Sequence, residues 1–236
     1  MKDYKGTIKN IEKITNNTIR MDIFSELDNI SSGQFVSILC PNKTLRRPFS
    51  ASNFQNGILT VLFKLKGEGT QYLSSLKKGD NINFIAPLGN GFNIRNKKSL
   101  LIGAGIGIAP MLFLKKELSE KNIKNYLITG FKERSEIVEG SDETIVGGSV
   151  LDNIDSLIEK FKPEVIYSCG PSIVLKLVSQ IGIKYNIETQ IALERVMACS
   201  IGVCRGCVIK LLKNNELVNA SVCKDGPVFR GNEVVW

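Results

Sequence analysis

The chain contains no histidine. That removes any Ser-His-Asp triad, and it removes a Rieske centre, which needs two imidazole ligands. Long apolar runs are also missing. The most apolar stretch, Leu100 to Leu114, is interrupted by three glycines and Pro110. It falls short of the ~20 residues that span a bilayer, so no membrane segment is expected. The first residues, Met1 to Lys13, are polar and strand-like and lack the apolar core of a secretory signal, which predicts a cytoplasmic protein. No block of like charge occurs, although lysine and arginine outnumber acids for a formal net charge of +8. The excess is spread along the chain and is read as solvated surface, without nucleic-acid binding. No internal repeat or low-complexity segment is present.

What remains is an ordinary soluble balance over 236 residues, 43% hydrophobic and 23% charged. The chain is long enough to bury a full core in one to three domains. Through about residue 95, short strands and turns dominate. Tyr4–Ile14 and Thr18–Phe24 flank an Asn16-Asn17 turn, and strands follow at Gln34–Cys40, Gly57–Lys66 and Asn81–Ala86. One short helix is expected at Thr70–Leu76. This predicts an antiparallel β-barrel over 1–95. From 96 to 189, apolar runs at Ser99–Ile102, Tyr126–Thr129, Thr144–Val146 and Val165–Ser168 alternate with helices at Pro110–Leu118, at Asp152–Phe161 and after Pro171. That pattern predicts a parallel α/β domain. Residues 190–236 form a third, cysteine-rich unit.

Four of the six cysteines lie in that tail. In a reducing compartment such a cluster points to metal or redox chemistry rather than disulfides. Cys199, Cys204 and Cys207 have the C-x4-C-x2-C spacing of plant-type [2Fe–2S] ferredoxins, and Cys223 supplies a distant fourth thiolate, expected on a separate strand. Gly202 and Gly206 would let the loop turn tightly and bring amide N–H groups to sulfur. Four thiolates also suit structural zinc, but zinc sites more often use paired C-x2-C knuckles and only one such pair exists. Cys40 ends an apolar strand and reads as a small core residue.

Two further segments suit phosphate. Arg46-Arg47-Pro48-Phe49-Ser50 lies between strands. About twenty residues later, Gly67-Glu68-Gly69-Thr70 ends a strand and opens a helix, where free N–H groups can face a phosphate and an arginine fork can join them. Gly103-Ala104-Gly105-Ile106-Gly107-Ile108-Ala109-Pro110 joins a strand to a helix, and so does Cys169-Gly170-Pro171. Both turns would sit at the carboxyl edge of one parallel sheet, where open α/β folds bind ligands. The first could equally be a tight packing turn, since its G-x-G-x-G spacing differs from the usual dinucleotide fingerprint.

Barrel, R-P-x-S, G-x-G-T and glycine-rich α/β domain, in that order, resemble the ferredoxin–NADP reductase superfamily. The resemblance implies FAD on the barrel, with Arg47 on its phosphates, Ser50 near the reactive flavin nitrogen and Phe49 available to pack on it. It places Lys64, Leu65 and Lys66 along the flavin or its ribityl chain, and gives the pyrophosphate to Gly69 and Thr70. It also implies a nicotinamide site at Gly103, Gly105 and Gly107 and at Cys169, Gly170 and Pro171. Glu133 would favour NAD, whereas Lys132 or Arg134 could accept the 2′-phosphate of NADP. The tail Glu194-Arg195-Val196-Met197-Ala198-Cys199, with Cys223-Lys224-Asp225-Gly226-Pro227-Val228-Phe229, resembles the electron-transfer subunits of class 1B dihydroorotate dehydrogenases. Val196 appears inserted relative to that pattern, and Ser200 stands where glycine is usual. The resemblance implies a catalytic partner with FMN, two of each chain per assembly, and electrons running from FMN through the cluster and FAD to NAD+. The small subunit of an NAD(P)H:ferredoxin or sulfide-type oxidoreductase is the alternative within this chemistry. A zinc-stabilised, non-catalytic adaptor is the alternative outside it.

Overall fold

The computed structural model describes residues 1–41 and 43–236. Six strands form the first layer: β1 (Lys2–Lys13), β2 (Thr18–Ser25), β3 (Phe35–Ile38), β4 (Arg47–Gln55), β5 (Ile58–Lys64) and β6 (Asn81–Leu88). They close antiparallel in the order β1-β2-β5-β4-β3-β6. The β1–β2 hairpin turns where expected, with the Ile14 and Thr15 amides donating to the Thr18 carbonyl. Alternate residues such as Ile8, Met21, Ile23, Val61 and Phe84 fill the interior completely. Each such side chain contributes about 1.5–3 kcal/mol by leaving water. Helix α1 (Glu68–Ser75) packs its buried Leu73 into the same core. The Arg47-Pro48-Phe49-Ser50 segment is not a turn between strands. It is the opening of β4, with Pro48 as the second residue of the strand, where a missing N–H is tolerated.

The second layer is a six-stranded sheet of β7 (Ser99–Ala104), β8 (Asn125–Phe131), β9 (Glu143–Val146), β10 (Val165–Cys169), β11 (Glu188–Ala192) and β14 (Val228–Arg230). Its order is β14-β11-β10-β7-β8-β9, parallel except for β14. Helices α2 (Ile108–Glu120), α3 (Ile154–Phe161) and α4 (Ser172–Tyr185) accompany it. α2 joins the two layers. Its Met111, Leu114 and Leu118 pack in the sheet core, while Phe113 reaches the barrel core.

The tail does not stand apart. The expected division at 189/190 falls inside β11, and β14 returns to pair antiparallel with β11 at the sheet edge. Between them lie the hairpin of β12 (Val208–Lys213) and β13 (Glu216–Ser221) and the one-turn helix α5 (Val222–Asp225). Its apolar core takes Phe35 and Leu88 from the barrel, Leu175 from α4 and Ile191 from β11. Among the described residues, no helix is long and apolar enough to cross a membrane.

Candidate functional site

The loop from Cys199 to Cys207 is bent by residues that hold positive φ: Ser200 at 62°, Gly202 at 84° and Arg205 at 54°. Gly202 is the obligatory glycine among them. A Cβ there would lie 2.7 Å from the Lys224 side chain as well as being strained. This winding aims amides at sulfur. Gly202 N–H donates to Cys223 Sγ at 3.1 Å, and Cys204, Gly206 and Cys223 donate to the sulfurs of Cys199, Cys204 and Cys207 at 3.4 Å. Burial pushes the Cys199 thiol up, yet the amides of Cys204, Ile201 and Val203 together with the Cys204 thiol outweigh it and bring it down to about 6. Burial and the facing Cys207 thiol push Cys223 up to about 12.

The sulfurs fall two by two. Cys207 and Cys223 are buried with their Sγ atoms 3.3 Å apart, and the Cys204 thiol approaches Cys199. Cys204 is exposed at the rim. Among the described residues, no three His, Cys, Asp or Glu groups converge at single-ion distances. Soft sulfur donors ringed by N–H groups fit an iron–sulfur cluster, whose bridging sulfides add acceptors for the same amides. Cys223 sits in α5 rather than on a strand, because the chain turns immediately after β13.

At the barrel mouth, the two phosphate-binding candidates meet. Arg47 lies over Gly69 so closely that a Cβ on Gly69 would stand 2.6 Å from Arg47 Nε. The Arg47 guanidinium also donates to the Leu45 carbonyl. The Thr70 hydroxyl is committed to the turn. It accepts from the amides of Lys66 and Gly67 and donates to the Gly67 carbonyl, leaving backbone N–H groups of α1 as donors for a ligand. Along β4, Phe49 packs on Phe63 at a centroid distance of 5.2 Å, and Ser50 pairs with Phe35 of β3. Leu65 packs against the barrel core. The Lys64 ammonium pairs with Glu136 at 2.8 Å, and the Asn17 amide donates to the same carboxylate oxygen at 3.0 Å. Cys40 is wholly buried, and burial raises its thiol.

At the carboxyl edge of the sheet, the two glycine turns touch through backbone. A Cβ on Gly107 would lie 2.2 Å from the Cys169 carbonyl oxygen and 2.7 Å from Gly170 N. No side chain fits between them. Gly103 and Gly105 complete the first turn, and Pro171 precedes α4. Burial drives the Cys169 thiol to about 12, and the Glu194 carboxylate adds to the shift. Glu194, quoted from sequence only as part of the tail motif, is thus brought beside the nicotinamide candidate. Asn90 and Ser37 were not legible either. Asn90 donates to the carbonyls of Lys224 and Asp225 at 3.3 and 3.0 Å, and Ser37 bonds to Ser200. A lone Asn or Ser in a turn or strand carries no local signal of a partner more than a hundred residues away.

Residues 194–235 match the family described as the iron-sulfur cluster binding domain of dihydroorotate dehydrogenase B. A dihydroorotate dehydrogenase B (NAD(+)) electron transfer subunit from Caldanaerobacter subterraneus is 38% identical, with 86% of this chain and 87% of the relative covered. The chain belongs to this family of electron transfer subunits. The corresponding subunit of Fusobacterium nucleatum is 32% identical over 99% of both chains. Among solved structures, a chain of the NADH-dependent reduced ferredoxin-NADP oxidoreductase superposes with a TM-score of 0.84 at 26% identity, covering 98% of this chain and 90% of that one. A ferredoxin reductase of carbazole 1,9a-dioxygenase shares the fold at a TM-score of 0.67 and 18% identity. Family members are oxidoreductase subunits, and the reductase fold with its iron-sulfur binding tail supports FAD and a [2Fe–2S] cluster as cofactors, with NAD in the family name.

Proposed function

We propose that this chain relays electrons during oxidation of dihydroorotate to orotate, between a catalytic partner carrying FMN and NAD+. The observation that carries this reading is the shared core of the tail. Cys207 and Cys223 pack with Phe35 and Leu88 of the barrel and Leu175 and Ile191 of the α/β layer. A cluster on this loop therefore sits in packing contact with both other layers.

The residues divide the work. Arg47 pairs with the FAD pyrophosphate through its planar fork, beside the N–H groups of Gly69 and Thr70 at the start of α1. Ser50, with Pro48 and Phe49, borders the flavin on β4, and the strand end Lys64-Leu65-Lys66 runs beside the flavin or its ribityl chain, with the Lys64 ammonium turned to Glu136. The turns Gly103–Pro110 and Cys169–Pro171 cradle the nicotinamide cofactor. Cys199, Cys204, Cys207 and Cys223 hold the [2Fe–2S] cluster. FAD held there would supply exchange of an electron pair with nicotinamide as hydride and of single electrons with the cluster. The half-buried Cys169 stays a neutral thiol and adds no charge of its own at that wall. The rim around the cluster exposes Val196, Val203 and Cys204, which suits docking of the partner near the point of electron entry. Dihydroorotate oxidation itself falls to the partner, with two copies of each chain in the assembly.

The test is native co-purification followed by an assay of dihydroorotate-dependent NAD+ reduction. The assembled complex should couple the substrates, while this chain alone should oxidise NADH with a small acceptor and leave dihydroorotate untouched. The similarity to the ferredoxin-NADP oxidoreductase chain supports a second reading, a ferredoxin-linked subunit. Co-purification with a ferredoxin-reducing partner and no response to dihydroorotate would decide for it.

A further inference from the structure

The cluster loop meets the barrel through a buried pair of hydroxyls. Ser200, adjacent to Cys199, is 1% exposed and holds φ at 62°, a conformation disfavoured for a residue with a Cβ. Strain of this kind persists only where surrounding contacts fix it. The contact is with Ser37, itself wholly buried, whose hydroxyl donates to Ser200 Oγ at 3.1 Å. Ser37 lies on β3 directly opposite Pro48 of β4, and its carbonyl accepts from Arg46 at 3.4 Å. The bond therefore ends on the strand pair that carries Arg47 and Ser50. The other end of the cysteine set is tied separately, through Asn90 to the carbonyls that follow Cys223. Around both ties the interface is apolar, formed by Phe35, Leu88 and the tail core. Apolar contacts tolerate sliding, whereas a hydroxyl pair in such surroundings is directional, because a shift leaves a buried group unpaired.

We propose that Ser37 and Ser200 are positioning residues for electron transfer: their hydrogen bond sets the placement of the Cys199 side of the cluster against the flavin-bearing strands. This rests on the relay reading above. Neither serine touches substrate or cofactor in the proposed machinery. They act through the loop they hold, and the left-handed serine is retained because its hydroxyl reaches β3.

The experiment uses the full chain loaded with FAD and cluster, with iron, sulfide and flavin measured per chain. Anaerobic mixing with NADH delivers two electrons as hydride. One passes to the cluster and its partner stays on the flavin, so flavin bleaching and cluster bleaching are resolved in time by stopped-flow absorbance. Ser200→Gly suits the left-handed backbone and should keep the fold, which melting checks, and Ser37→Ala removes the other hydroxyl. In both, the flavin phase should keep its rate and the cluster phase should slow several-fold, as the cluster shifts relative to the flavin-bearing strands. The electron paramagnetic resonance g values of the reduced cluster should shift in the same direction in both. The double variant should be no slower than either single one, because both remove the same bond. Wild-type cluster rates with an unchanged resonance spectrum in fully loaded variants would overturn the inference, as would equal slowing of both phases or additive effects. A wild-type chain that NADH cannot reduce would overturn the relay reading, and this inference with it.

Discussion

Arg46 and Arg47 are neighbours in sequence with opposite roles in space. Arg46 reaches outward to Asp3 at 3.5 Å and to the Ser37 carbonyl, whereas Arg47 lies across Gly69 at the start of α1. An exposed ion pair is worth roughly 0–1 kcal/mol, while a charge-assisted bond to a phosphate is worth roughly 1.5–3 kcal/mol. Arg47→Ala should accordingly weaken FAD binding at least about tenfold, and Arg46→Ala should hardly change it, as measured by titrating flavin into the apoprotein. Gly69→Ala should fall with Arg47→Ala, since its Cβ would occupy the space of the Arg47 side chain. Equal flavin affinity in the two arginine variants would remove Arg47 from the site. The same residue scale shows what a sequence conceals. The R-P-x-S and G-x-G-T segments were legible as motifs, and their convergence followed from the barrel. That Thr70 commits its hydroxyl to its own turn, and that the Lys64 ammonium pairs with Glu136, depend on rotamers and partners that no local pattern encodes.

Elements decide how the two halves of the nicotinamide site meet. Strand-then-helix alternation made the parallel sheet predictable, so both glycine turns were expected at one edge. Their backbone-to-backbone contact is the consequence of adjacent parallel strands β7 and β10 ending in register, Gly103 opposite Cys169. Gly107→Ala would drive a Cβ into the Cys169 carbonyl, and neither backbone can yield cheaply. That variant should keep FAD and cluster but lose tenfold or more in the rate of flavin reduction by NADH, of the order expected for an ångström of misplacement. A second element-scale tie is the pair across the barrel and sheet. Lys64 and then Asn17 hold the Glu136 carboxyl below the usual carboxylate range. Its ionised form is thus favoured in the folded protein, so the stabilisation is present above the ordinary carboxylate pKa and is lost as pH falls through the lowered one. Glu136→Gln should lower the melting temperature at neutral pH, and the difference from wild type should vanish in acid. A constant difference across that range would mean that the carboxylate charge is not what ties the layers. The tail elements were the least legible. β11 is buried along nearly its whole length and β14 is only three residues long, so neither shows alternation, and β14 gains its meaning only by returning to the far edge of a sheet begun more than a hundred residues earlier.

Over the whole molecule, the layers form one body because the tail is stitched into both. The four cysteines were the clearest feature of the sequence, since their spacing reflects covalent reach to a cluster and does not depend on packing. Their location depends on packing alone: Cys207 and Cys223 are buried between barrel and sheet, and Cys204 stands at the exposed rim. This geometry separates two activities. NADH oxidation by a small acceptor needs the barrel and the glycine turns, because such an acceptor can reach the flavin directly. On the proposed path, coupling to dihydroorotate runs through the cysteine tail as well. Cys204→Ser removes a ligand at the rim without opening the core, so the fold and flavin should survive. The variant should lose the visible absorption and iron of the cluster, keep NADH oxidation by a small acceptor near the wild-type rate, and lose dihydroorotate-dependent NAD+ reduction in the assembled complex. Stoichiometric zinc with no iron in the wild-type protein would reject the cluster itself. Undiminished coupling by a Cys204→Ser complex that retains both flavins would show instead that electrons bypass the cysteine loop, because direct flavin-to-flavin transfer would then suffice.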